Sequence, residues 1–343
     1  MPRTTLLRHW VQELFAEQFP GQTIPVETAS ADASFRRYFR LRLPDGSTRI
    51  VMDAPPDKED CHPFLRVAAL FHDAGTHVPA VLAQDLEQGF LLLSDLGRTT
   101  YLQALVDSRA APLLYADANR ALLAIQLASR PGILPDYDQA LLARELALFP
   151  EWYLQCHLGL TLDQTQAGLL QSSFAAILAN NLRQPQVFVH RDYHSRNLMV
   201  VGEGSPAFPA NPGILDFQDA VYGPLTYDLV SLYRDAYIQW PEEQELDYVI
   251  RYWEAARRAG LPVPADFHDF YRDYEWMGAQ RQLKVLGIFA RLCHRDGKQA
   301  YLKDMPRVMS YLRRTCQRYG ELRGLAHLLD TLTEQALDVG YTF

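Results

Sequence analysis

Asp192, Asn197 and Asp216 are the residues of this chain whose types and surroundings point most directly to chemistry. Asp192 and Asn197 lie in the stretch Val187-Phe188-Val189-His190-Arg191-Asp192-Tyr193-His194-Ser195-Arg196-Asn197-Leu198-Met199-Val200. There an apolar strand runs into a polar loop and an apolar strand leaves it. Polar groups held between buried strands are well fixed, which suits catalysis. Asp216 closes a further apolar run, Gly213-Ile214-Leu215. These are the groups that phosphoryl transfer asks of a protein. Its transition state spreads negative charge over the γ-phosphoryl oxygens. Hard oxygen ligands must hold magnesium against the phosphates, and a carboxylate must orient the attacking hydroxyl and accept its proton. Asp192 is the candidate base, and Asn197 and Asp216 are the candidate magnesium ligands.

The spacing Asp-x-x-x-x-Asn, followed by an Asp after a second strand, matches the H-R-D-x-x-x-x-N and D-F-G logic of kinases. Here the second element reads Asp216-Phe217-Gln218, without the glycine. Taken singly, each residue is also what a strand-capping loop carries; the ordered set is what argues for chemistry. A zinc site is an alternative, because His190, Asp192 and His194 alternate along the chain and would share a face, although Asn197 and Asp216 fit it less well. The sequence holds neither G-x-x-x-x-G-K-[ST] nor G-x-G-x-x-G, which sets aside the P-loop and dinucleotide readings.

The elements that must position these residues fall into two textures. Leu6, Leu7, Trp10, Val11, Leu14 and Phe15 recur at helical spacing, predicting a helix over about Thr4–Phe19. Short strands are expected at Thr23–Val26, Tyr38–Leu43 and Arg49–Met52, the last two forming a hairpin around the turn Pro44-Asp45-Gly46-Ser47. A helix at Phe64–Phe71 and strands at Val81–Ala83 and Phe90–Leu93 complete an α+β N-terminal lobe of residues 1–96 with a largely antiparallel sheet. Residues 97–343 are expected to be mostly helical, apart from a β-rich island from Val187 to Asp216.

Of the 343 residues, 48% are hydrophobic and 22% charged, ordinary for a chain with a full core. The net charge is -8 with no basic block, so nucleic acid is not an expected partner. No signal peptide and no membrane-spanning run is expected. Cys61, Cys156, Cys293 and Cys316 are scattered and read as reduced thiols. A cytoplasmic monomer is the expectation.

The set His190-Arg191-Asp192 through Asn197, Ile214-Leu215-Asp216-Phe217 and Tyr227-Asp228-Leu229-Val230 resembles the aminoglycoside phosphotransferase family, whose members have the two-lobed protein-kinase-like fold. Ala33–Arg40, Met52-Asp53-Ala54-Pro55-Pro56, Leu93-Ser94-Asp95-Leu96-Gly97 and Phe149-Pro150-Glu151-Trp152-Tyr153 are similar to the bacterial N-acetylmuramate/N-acetylglucosamine anomeric kinases within it. The resemblance implies ATP and Mg2+ as cofactors. It implies Asp192 as base, His190 as a buttress of the catalytic loop and Asp228 as a structural tie. It implies a hinge around Ser94, Asp95 and Leu96 that holds adenine, and a phosphate-covering segment around Ser34. That segment has no glycine. The family also has a phosphate-binding lysine on its third strand, where this chain has Met52. Arg36, Arg37 or Arg40 is the expected replacement.

The residues between Asp192 and Asn197 include no acid, which suits a neutral or anionic acceptor better than a cationic antibiotic. The lactyl carboxylate of N-acetylmuramate would pair with Arg196 or His194. Trp152 and Trp276 are candidates to stack on a sugar, and Glu145, Asp219 and Arg281 to bind its hydroxyls or acetamido group. The expected reaction is phosphorylation of the anomeric hydroxyl of N-acetylmuramate or N-acetylglucosamine, a small-molecule amino sugar, in cell-wall recycling. The alternatives are an aminoglycoside kinase, another small-alcohol kinase, and a pseudokinase acting as a binding module.

Overall fold

The computed structural model describes residues 2–31, 35–201 and 211–340. The chain divides into two compact units, Met1–Ala104 with Asn197–Asp219, and Leu105–Arg196 with Ala220–Phe343. This differs from a single cut after Leu96. Backbone pairing explains why: the short strands Leu198–Met199 and Gly213–Ile214 pair with each other, and the amides of Val200 and Ile214 donate to the carbonyls of Thr99 and His77. The segment bearing Asn197 and Asp216 thereby joins the first unit.

The first unit is built on an antiparallel sheet of β1 (Val26–Ala31), β2 (Arg37–Arg42), β3 (Thr48–Asp53), β4 (Val81–Asp85) and β5 (Phe90–Ser94), in the order β1-β2-β3-β5-β4. Alternation puts Phe39, Leu41, Val51, Phe90 and Leu92 on one face. The helix Arg3–Leu14 covers that face with Leu7, Trp10 and Val11. Met52 is fully buried on β3, paired in register with Tyr38 and Leu91. The neighbouring Asp53 is also buried, and both Arg3 and Arg37 pair with it.

The second unit is helical around one long helix, Phe267–His294, which is buried almost continuously from Asp273 to Gly287. A π-helix, Phe149–His157, lies against it and follows the helix Gln139–Leu148. Among the described residues, no helix is long and apolar enough to cross a membrane.

Candidate active site

In the second unit the strand Gln186–Val189 pairs with Val221–Pro224 and delivers the chain to His190. The amides of His190 and Arg191 donate to the carboxylate of Asp228, at 2.6 and 2.9 Å. Asp228 lies in the first turn of the helix Tyr227–Tyr233 and is fully buried, so it ties the loop to that helix. Burial pushes its carboxyl up to about 7, with the two amide donors pulling the other way. Arg191 has φ of 77°, a left-handed backbone that costs a non-glycine residue on the order of 1–3 kcal/mol and persists where its surroundings enforce it. Next, the Asp192 amide donates to Nδ1 of the fully buried His190 at 3.2 Å. His190 thus braces the loop through its buried ring.

The Asp192 side chain itself remains 44% exposed, with Arg281 Nη2 at 3.7 Å. Desolvation raises its pKa, but the charges of Lys284, Arg281, His194 and Arg191 outweigh that and hold the carboxyl well below the usual range. It is therefore an ionised, accessible acceptor at neutral pH. The cations form a built cluster. Glu145 is buried, takes ion pairs from Arg191 at 2.6 Å and Lys284 at 2.9 Å, and accepts from the Tyr137 hydroxyl. Lys284 also donates to the Tyr227 hydroxyl at 2.8 Å, and Arg281 donates to the Arg191 carbonyl at 2.9 Å. Gly287 makes this approach feasible. A Cβ there would fall 2.5 Å from the Leu148 carbonyl, so the two helices close to a distance at which Lys284 reaches Glu145.

Lys284 is not among the residues that motif and spacing single out. Its signal was there: Arg281 and Lys284 stand three apart in an otherwise largely apolar helical run, and therefore on one face. Glu145→Gln tests the cluster. It removes the buried charge that Arg191 and Lys284 share, and unfolding titrations should show a loss of about 3–5 kcal/mol.

In the first unit Asn197 and Asp216 lie side by side, with Asn197 Nδ2 donating to Asp216 Oδ2 at 3.3 Å. The Leu215 amide donates to the Asn197 carbonyl at 2.9 Å, which locks the two segments in register. Asp216 has φ of 62°, a second left-handed non-glycine residue. Gln218, in place of the glycine, donates to Asp216 Oδ1 at 2.8 Å and to Asp219 at 3.3 Å. Phe217 is buried against Phe64 and Phe71 of the helix His62–Asp73. A carboxylate beside a carboxamide is a donor set that fits magnesium, which takes few protein oxygens and leaves the rest of its shell to water and phosphate. The zinc alternative is not met: among the described residues no group of three or more His, Cys, Asp or Glu side chains could hold a metal.

Among the arginines weighed for a phosphate role, Arg40 is committed to Asp95, at 2.6 and 2.9 Å, and to the Gly97 carbonyl. Arg37 is committed to the buried Asp53. Arg36 pairs with Glu59 at 3.1 Å. Burial pulls the Arg36 guanidinium down, but Tyr38, Glu59 and Asp216 carry it above its ordinary value, so it lies within reach of the Asp216 charge. The Ser94 amide bonds to the Ala80 carbonyl, and its hydroxyl accepts from the Ala80 amide, closing the end of β5. Leu96 is buried, and a Cβ on Gly213 would come within 3.0 Å of it. The Asp216 segment and the Ser94–Leu96 segment therefore pack directly together. Ser34 lies outside the described residues.

The sugar-binding candidates scatter. Trp276 is buried in the helical core beside Tyr319, with Arg272 over its ring, and Glu145 is enclosed by its counter-ions. Both side chains are buried. Trp152 is half-buried, Asp219 is exposed, and Arg281 is buried beside Asp192. His194 and Arg196 both meet Tyr237.

Residues 25–267 match the model of the phosphotransferase enzyme family. The chain belongs to that family. It is 48% identical over 347 residues to a protein of Neisseria meningitidis serogroup B named N-acetylmuramate/N-acetylglucosamine kinase, covering the whole of both chains. A Pseudomonas aeruginosa protein of the same name is 51% identical over 326 residues, 94% of each chain. The fold is similar to that of an ethanolamine kinase from Plasmodium vivax, with a TM-score of 0.61 and 8% identity over 92% of this chain and 88% of that one. This phosphotransferase thus has the two-lobed α+β fold of the protein-kinase-like enzymes.

Proposed function

We propose that the protein is an ATP-dependent sugar kinase that phosphorylates the anomeric hydroxyl of N-acetylmuramate and N-acetylglucosamine to give the 1-phosphate, in cell-wall sugar recycling. The observation that carries this is near-half identity, over 94% of the chain or more, to proteins named as kinases of those two sugars. The geometry adds a matching division of labour. Asp192, ionised and open, accepts the hydrogen bond and then the proton of the attacking hydroxyl, which sharpens the nucleophile without a covalent intermediate. His190 and Asp228 keep its backbone in place. Asn197 and Asp216 would hold magnesium, which when bound supplies positive charge against the phosphate oxygens. Arg36 is the side chain proposed to take the part of the absent strand lysine.

Incubation with Mg·ATP and a panel of N-acetylmuramate, N-acetylglucosamine, kanamycin and choline tests the reading. ADP release is expected with the two amino sugars, together with loss of their reducing ends. No ADP with either sugar would sink it, and release with kanamycin or choline alone would replace it with one of the other alcohol kinases.

A further inference from the structure

The four residues between Asp192 and Asn197 have different fates. Tyr193 is buried, and its hydroxyl donates to the Ala118 carbonyl at 2.9 Å. The His194 ring stands edge-on to Tyr237, with centroids 5.5 Å apart, and its buried Nδ1 has no hydrogen-bond partner. Ser195 is buried, and its amide donates to Asp235 at 2.9 Å. Arg196 is the exposed member. Its guanidinium carbon lies 3.6 Å from the centroid of Tyr237 and 5.9 Å from that of Tyr301. No hydrogen bond or ion pair joins that guanidinium to any other described residue. Asp235, the nearby acid on the Tyr237 side, already accepts from the amides of Ser195 and Tyr237.

A guanidinium over an aromatic ring is held by cation–π attraction while its five N–H donors stay available at the rim. It is positioned before any ligand arrives, and the ligand geometry it fits is a carboxylate met by a parallel pair of donors. We propose that Arg196 on its Tyr237–Tyr301 shelf is a carboxylate subsite, engaging the lactyl group of N-acetylmuramate and setting the preference for that sugar over N-acetylglucosamine. The two acceptors differ by that ether-linked lactyl group, so a cation here acts on one of them alone. The shelf also adjoins the base: Tyr237 and His194 each feel the charges of both Arg196 and Asp192. Burial holds His194 below its ordinary value, with Asp235 and Asp192 pulling the other way. The inference rests on the amino-sugar kinase reading above and deepens it.

The test measures kcat and KM of wild type, Arg196→Gln and Tyr237→Leu with N-acetylmuramate, its methyl ester and N-acetylglucosamine. A charge-assisted pair predicts that Arg196→Gln lowers the N-acetylmuramate to N-acetylglucosamine ratio of kcat/KM about tenfold or more, mainly through KM. The methyl ester should lose the same factor with wild type and nothing further with Arg196→Gln. Tyr237→Leu keeps the charge but removes the shelf, and should lower the same ratio by less. An unchanged ratio in Arg196→Gln, whether both sugars suffer equally or neither does, overturns the proposal. If wild type turns over neither sugar, the functional reading itself falls and takes this inference with it, so the two failures are told apart by the wild-type rates.

Discussion

Replacing Asp192 with Asn lowers kcat by about a hundred- to ten-thousandfold, the usual worth of a positioned general base, and leaves the KM for ATP nearly unchanged. The substitution keeps the size of the side chain and removes its charge and its capacity to take a proton. The environment explains why the carboxylate has no substitute. Lys284, Arg281, His194 and Arg191 together hold it ionised, and among the described residues no second acid stands in the loop. Because its carboxyl sits below the ordinary range, acidification from pH 8 to about pH 5 should not inactivate the wild-type enzyme through this residue. Steady-state rates with the amino-sugar acceptors across that range check both statements. Wild-type turnover in the Asn variant would remove Asp192 from the mechanism.

Asp216→Ala carries the second large effect. A metal bound against phosphate oxygens supplies several kcal/mol of charge stabilisation, so losing the carboxylate proposed to hold it should cost about a thousandfold or more in kcat. The magnesium concentration for half-maximal rate should rise as well. Asn197→Ala removes the neutral group proposed as the other ligand and should cost less in both respects. Rates at fixed ATP against free magnesium separate the three proteins. A magnesium dependence shared by wild type and Asp216→Ala would mean that the ion is held elsewhere. Gln218 offers an internal control, since it donates to Asp216 Oδ1 and its loss should loosen the carboxylate without deleting it.

Much of the N-terminal sheet was legible because its strands alternate. The hairpin expected at Tyr38–Leu43 and Arg49–Met52 is found at Arg37–Arg42 and Thr48–Asp53. The first strand, expected at Thr23–Val26, instead runs Val26–Ala31, where small and polar residues give no apolar alternation and the register shifts between Thr28 and Ser30. An edge strand of that kind is placed by the partner it pairs with rather than by its own pattern. The first helix ends at Leu14 rather than near Phe19. The π-helix Phe149–His157 and the burial of Asp273–Gly287 all round the long helix were not visible, because periodicity reports which face is apolar and not what lies against it.

The sequence by itself determined the chemistry: an Asp-x-x-x-x-Asn loop between apolar strands, an Asp ending a third, and no other phosphate-binding motif. Those features are local, and chain order alone displays them. The tertiary structure decided which charges serve the site and which are enclosed. It took Arg40 for Asp95, Arg37 for Asp53, Glu145 for Lys284 and Trp276 for the core, and it left Arg196 exposed on Tyr237. These pairings join residues far apart in sequence. A buried charge must find its counter-ion wherever the packed helices and strands happen to bring one, and that is a property of the fold rather than of any segment.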